Sequence, residues 1–305
     1  MKELFKVAQN TFAITAPDNL TVREALMRRY GPFADNSDDE RPVLEVTIRE
    51  DRLPETEGET IYKPEFDGIG FITSRASCLG DGSLVIEFSH VSEEKPRLWM
   101  RMSRSMDRSE IVMDPKNVDE DVYFLTHALM ISYMLATTGN GTLLIHASAV
   151  TFDGKAYLFQ GKSGTGKSTH SRLWVENIAG AEPLNDDHPV IRIGADGTPM
   201  AYGSPWSGKT HCYRNAGAEI GAFVRIVRGA ENELKGLAPL NSYASLTASM
   251  FYLPFLGEEQ REVRHRTIER LAREIPCCEM HCRPDKEAAL TCMKGVTNII
   301  TTKIK

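Results

Sequence analysis

At 305 residues and 41% apolar content, the chain is long enough for one large domain or two ordinary ones built around a real core. Its charged residues, 26% of the total, are mixed in sign and sum to only -6, which argues against a nucleic-acid partner. No segment approaches the roughly 18 apolar residues of a membrane span, and the amino terminus lacks an apolar run of secretory length, so a cytoplasmic, membrane-free setting is expected.

In chain order, the first third carries short alternating runs, Leu44-Val46-Ile48, Leu84-Ile86-Phe88 and Leu98-Met100-Met102. These predict half-buried antiparallel strands. The acidic stretch from Asp35 to Glu40 lacks the glycine and distal glutamate of a calcium loop and reads as a surface loop. Asn117 and Glu120 form a capping box, and Val118, Val122, Leu125 and Leu129 recur at helical spacing, so a helix is expected to end at Gly139 and Gly141. This divides the chain into a β-rich domain, 1–140, and a second domain, 141–305.

The second domain opens with Leu143 to Val150, read as one strand. The turn Asp153-Gly154 and the strand Ala156 to Gln160 then complete a hairpin. A helix is predicted from Lys167 to Ile178, a second hairpin from Val190 to Tyr202 around Asp196-Gly197, and helices near 258–273 and 284–293. Six cysteines, irregularly spaced, do not make a disulfide framework in a chain of this length. Cys277, Cys278, His281 and Cys282 lack a paired C-x-x-C partner, and the three cysteines read as ordinary thiols of a strand.

Between the first hairpin and its helix, Gly161-Lys162-Ser163-Gly164-Thr165-Gly166-Lys167-Ser168 fits the pattern G-x-x-x-x-G-K-S/T in full. Glycines let consecutive N–H groups converge on phosphate, and the following helix adds its positive end. Lys167 is suited to the β- and γ-phosphates, the Ser168 hydroxyl to a magnesium shell, and Thr169 completes the nucleotide-binding segment. Shortly beyond lies Asn185-Asp186-Asp187, where one carboxylate can hold a metal and its neighbour can accept a proton from an attacking hydroxyl. With His188-Pro189 following, the blander alternative is an exposed turn. His146, on the strand expected beside the loop-bearing one, is a catalytic or phosphate-contacting candidate, with a satisfied core histidine as the alternative. Lys209 and Arg214 could neutralise an anionic acceptor.

The order Leu144-Ile145-His146-Ala147-Ser148, Gly161 to Thr169, Asn185-Asp186-Asp187 and Gly203 to Lys209, with Arg283 to Ala288 near the end, resembles the HPr kinase/phosphorylase-like group. The nucleotide-binding core of that group is similar to that of phosphoenolpyruvate carboxykinases. The resemblance covers roughly residues 143–292. It implies a mixed-sheet α/β P-loop core of the carboxykinase-like type. It further implies Ser168 and Asp187 near magnesium, Asp186 as base, and Trp206, Ser207, Gly208 and Lys209 near the acceptor. The expected activity is transfer of the γ-phosphate of ATP, with Mg2+, to a hydroxyl on a small molecule, an amino acid or a protein serine. Alternatives are a nucleotide-binding accessory module with little turnover and a carboxykinase-like enzyme. A homo-oligomer is one possible state, and the sequence leaves the oligomeric state open.

Overall fold

The computed structural model describes residues 2–36, 41–63, 72–93, 95–116, 118–208 and 210–303. It is mixed α/β, with two mixed sheets in two compact units. The first unit comprises Met1–Thr137 with Leu253–Gly257, and the second Thr138–Tyr252 with Glu258–Lys305. The expected capping residue Asn117 and most of the acidic stretch, residues 37–40, lie outside the described residues.

The first unit runs β1 (Lys2–Val7), β2 (Asn10–Thr15), α1 (Leu20–Tyr30), β3 (Leu44–Glu50), β4 (Glu59–Tyr62), β5 (Ile72–Cys78), β6 (Leu84–His90), β7 (Leu98–Met102), β8 (Arg108–Met113) and α2 (Val118–Thr137). Its sheet has the order β1-β2-β3-β8-β7-β6-β5-β4. The antiparallel expectation holds for β6 and β7 and needs correction for β3, because β2–β3 and β3–β8 are parallel. A parallel pair needs a crossover, and α1 supplies the one between β2 and β3. In β3, Leu44, Val46 and Ile48 are buried while Glu45, Thr47 and Arg49 face out, as the alternation requires. By contrast, Leu84 to Phe88 of β6 are buried at every position. Helix α2 packs on β3, β7 and β8, and a separate cluster of Val85, Trp99 and Val112 gathers Leu53 and Leu79.

The second unit comprises β9 (Thr142–Leu144), β10 (Ala147–Phe152), β11 (Lys155–Gln160), α3 (Lys167–Asn177), β12 (Glu182–Asp187), β13 (Val190–Ile193), β14 (Pro199–Tyr202), β15 (Gly217–Arg228), β16 (Glu233–Gly236), α4 (Pro239–Ser249), α5 (Glu258–Glu274), β17 (Cys277–Cys282) and α6 (Lys286–Lys303). The sheet order is β12-β10-β11-β15-β14-β13-β9, with β17 also on β15 and β16 on β17. β11–β15 and β15–β17 are parallel. Successive strand residues point to opposite faces, so Leu158 and Phe223 join the side closed by α4 and α5. Phe159 and Val224 join the side closed by Trp174 of α3 and Cys292 of α6. The hairpins β10–β11 and β13–β14 form in register.

The strand expected from Leu143 to Val150 is broken. β9 pairs with β13 at one edge and β10 with β11 and β12 near the other. The break falls at Ile145-His146, whose N–H groups donate to Pro189 and Ser249 carbonyls rather than to a sheet neighbour. The final helix extends past the expected residue 293, to Lys303, and Asp285 precedes it with its carboxylate accepting from the Ala288 N–H. Among the described residues, no helix is long and apolar enough to cross a membrane.

Candidate functional site

β11 delivers the chain into the glycine-rich loop and α3 receives it. Gly166 is the residue preceding the helix, at φ 110, a left-handed conformation that a side chain would strain. No side chain caps this helix start, so its first N–H groups remain directed at the space in front of the loop. Lys167 is 8% exposed and bends back over the loop, its Nζ donating to the carbonyls of Gly161 at 3.0 Å and Lys162 at 3.4 Å. Burial lowers the Lys167 pKa, and the charges of Asp187 and Asp186 oppose that fall. Thr165 Oγ1 donates to the Lys162 carbonyl at 2.8 Å, and Arg228 donates to that of Gly164.

The two aspartates arrive from β12, where the antiparallel pairing with β10 sets Asp186 opposite Ser148 and Asp187 opposite Ala147. Asn185, buried, fixes the strand end: its side-chain amide donates to Ser204 and its carbonyl oxygen accepts from the His188 N–H. Ser204 Oγ in turn lies 2.6 Å from the His188 carbonyl. Asp187 leaves the strand at φ 126, an uncommon backbone for a residue other than glycine. Its carboxylate lies between two imidazoles, with His146 Nε2 3.2 Å from Oδ1 and His188 Nδ1 3.3 Å from Oδ2. Burial pushes the Asp187 pKa up, but the His146 hydrogen bond and the neighbouring His188, His146 and Lys167 charges hold it below the usual carboxylate value. The group is therefore ionised at neutral pH.

One cavity of about 440 Å³ gathers most of the predicted residues: His146, Lys167, Ser168, Asp186, Asp187 and Gly208, together with Ser163, Gly164, Gly166 and Thr169 of the loop. Gly161, Lys162 and Thr165 lie on the adjoining face, beside Arg225 and Arg228. Gly208 sits so close to Asp187 that an added Cβ would lie 3.1 Å from its side chain. Trp206 and Ser207 do not line the cavity. Trp206 is 2% exposed, and the Ser207 hydroxyl is bonded to backbone groups of Asp186, Thr210 and Cys212. Arg214 bonds the Pro183 carbonyl and Glu182 carboxylate, away from the loop. Lys209 lies outside the described residues.

Three residues that sequence reasoning passed over join the site: His188 on Asp187, Thr210 in the cavity wall, and Arg228 on the loop. His188 was legible only as turn chemistry, since its role depends on the backbone reversal at Asp187. Arg228 ends a strand 64 residues from the loop carbonyl it holds, so no local pattern reveals it.

The Ser168 hydroxyl and the two carboxylates are hard oxygen donors suited to magnesium. Each Asp187 oxygen meets one histidine, and a carboxylate oxygen has a further lone pair for a cation. By donor type these residues suit the ion, although no group of three or more His, Cys, Asp or Glu side chains among the described residues is placed to hold a metal by itself. The chain matches no protein-family model, and no curated protein matches it.

Proposed function

We propose that the second unit is a magnesium-dependent kinase core that transfers the γ-phosphate of ATP to a hydroxyl acceptor. The observation that carries this reading is the single cavity in which Lys167, Ser168, Asp186 and Asp187 meet before the uncapped start of α3. The loop N–H groups and helix start would receive the phosphates, with Lys167 exchanging its two carbonyl contacts for phosphate oxygens. Ser168 and Asp187 would hold the magnesium ion, which when bound neutralises charge developing on the β- and γ-phosphate oxygens. Asp186 would accept the proton of the acceptor hydroxyl. His146 and His188 orient Asp187 and keep it anionic. On the far side of the loop a cavity of about 460 Å³, walled by His170, Leu173, Ile226, Cys282 and Pro284, has the apolar character a nucleobase needs. The resemblance to the HPr kinase/phosphorylase-like group, with a carboxykinase-like P-loop core, agrees with the mixed sheet and with the placement of the loop between β11 and α3.

The test is nucleotide-dependent stability. Mg-ATP at a hundredfold excess over its dissociation constant should stabilise the protein by about 2.7 kcal/mol, and Lys167→Ala should remove most of that gain. A melting temperature indifferent to Mg-ATP in the wild type sinks the reading.

A further inference from the structure

We propose that a second cavity, opening beside Asp186 along α3, is the acceptor site, and that it takes a small hydroxy acid or hydroxy amino acid rather than a protein serine. The inference rests on the kinase reading above and names its acceptor. The cavity measures about 310 Å³ and is walled by Ser148, Ser171, Arg172, Val175, Asp186 and Cys212. It shares Ser168, Thr169, Asp186 and Thr210 with the phosphate cavity, whereas Asp187 borders the phosphate cavity alone. Asp186 therefore stands where donor and acceptor would meet.

The independent observation is Ser148. It is 1% exposed, lies opposite Asp186 in the β10–β12 ladder, and its hydroxyl has no hydrogen-bond partner among the described residues. A buried hydroxyl left unpaired is costly, and here it borders a cavity, so a polar group of the occupant completes it. Val175 and Cys212 offer only apolar contact to the occupant's carbon frame. Arg172 supplies the cation, its one ion pair among the described residues being to Glu176 at 3.7 Å, beyond hydrogen-bond length. At roughly 30 Å³ per water, the volume holds about ten non-hydrogen atoms, the size of a small metabolite. In the reaction, Asp186 takes the proton of the acceptor O–H, and the acceptor oxygen forms its bond to the γ-phosphorus. The bond from that phosphorus to the bridging oxygen breaks, its electron pair leaving with ADP, and Asp186 returns the proton to water.

The experiment uses the full chain with Mg-ATP and follows ADP release and phosphorus NMR of products. Its probes are L-serine, L-homoserine, L-threonine and D-glycerate, with glycerol and a serine-containing heptapeptide alongside. At least one of the four acids should be phosphorylated. For that acid, Ser148→Ala should raise KM about fivefold, as loss of one hydrogen bond does. Ser148→Val should raise it further by filling space, and Arg172→Gln should raise it by a larger factor than it raises the KM of glycerol, which has no carboxylate to pair with the guanidinium. Affinity for Mg-ATP, measured by calorimetry, should be unchanged in all three variants. Phosphorylation of the peptide with the acids inert overturns the proposal, as does Mg-ATP binding with no acid phosphorylated, or a KM indifferent to Ser148→Ala and Arg172→Gln, which would mean a water-filled space. These outcomes leave the kinase reading standing, whereas wild type that fails to bind Mg-ATP removes that reading and this one together.

Discussion

The two neighbouring aspartates are held by different means, and the difference predicts how each fails. Asp187 is fixed by its backbone at φ 126, by a bridge to Ser207 and by two imidazoles. Asp186 has its carbonyl engaged by the Gly208 N–H and the Ser207 hydroxyl, and its residue borders both cavities. Asp187→Asn removes an anionic oxygen beside the proposed cation and should weaken magnesium-dependent nucleotide binding, measured by calorimetry with and without the metal. Asp186→Asn should leave that binding nearly intact while slowing transfer by about 10²–10⁴-fold, the usual cost of losing a general base. Exchanged phenotypes would reverse the two roles. If both variants behave like wild type, the pair is only a turn.

At the scale of elements, α3 is seated by an interaction that pH can break. His170 packs edge-on against Phe159 of β11 with ring centroids 4.8 Å apart, and the Trp174 Nε1–H donates to His170 Nε2 at 3.2 Å. An imidazole that accepts at Nε2 carries its proton on Nδ1 and is neutral; protonating Nε2 would set a proton against the indole N–H. Burial lowers the His170 pKa from 6.5 to about 4. Between those values the unfolded chain binds the proton and the folded one does not. Stability from this group is thus fully present above pH 6.5 and is lost as pH falls toward 4, a change of about 3 kcal/mol. Denaturant midpoints measured across that range should show the loss, and His170→Gln, which can still accept from Trp174, should flatten it; an unaltered slope would assign the effect to other groups. The sequence made this region readable, because the glycine loop, the β10–β11 hairpin and α3 follow one another with local signals. Elsewhere the signals are missing. The turn Ala8-Gln9 joins β1 to β2 with both residues at positive φ, yet it lacks the glycine or asparagine that marks such a turn. β15 carries Gly217 and Gly221 in its pattern and, at 12 residues, is paired along its length by β11, β14 and β17 in turn. The break at Ile145-His146 depends on Ser249, about a hundred residues later, and periodicity cannot register it. The same distance explains why the glycine-rich loop stands out in the sequence while Ser148, buried and without a hydroxyl partner among the described residues, is marked only by the pairing of β12 beside β10.

For the whole molecule, the decisive fact is that every residue of the candidate site falls in one of the two units. The sequence reading divides the chain near residue 140. The compact units divide between Thr137 and Thr138, and Leu253–Gly257 returns to the first, where Phe255 meets Tyr62 with ring centroids 6.1 Å apart. Each unit has its own sheet and core, so each can unfold as a cooperative block with its own free energy. A ligand stabilises only the block whose folded form it binds, by mass action. Mg-ATP should therefore slow amide exchange in residues 161–175 and 184–188 and raise the unfolding transition of the second unit. Exchange in β1 to β8 should stay at its nucleotide-free rate. The measurement is hydrogen–deuterium exchange on the full chain with and without Mg-ATP, repeated on Lys167→Ala, in which the protection at the loop should vanish while β1 to β8 again do not respond. Protection that spreads into β1 to β8 in the wild type would mean that the first unit completes the nucleotide site. A fragment beginning at Thr138 would then be expected to fold without binding nucleotide. With protection confined to the second unit, that fragment should bind Mg-ATP, provided the segment Leu253–Gly257, stripped of Tyr62, does not draw it into aggregates.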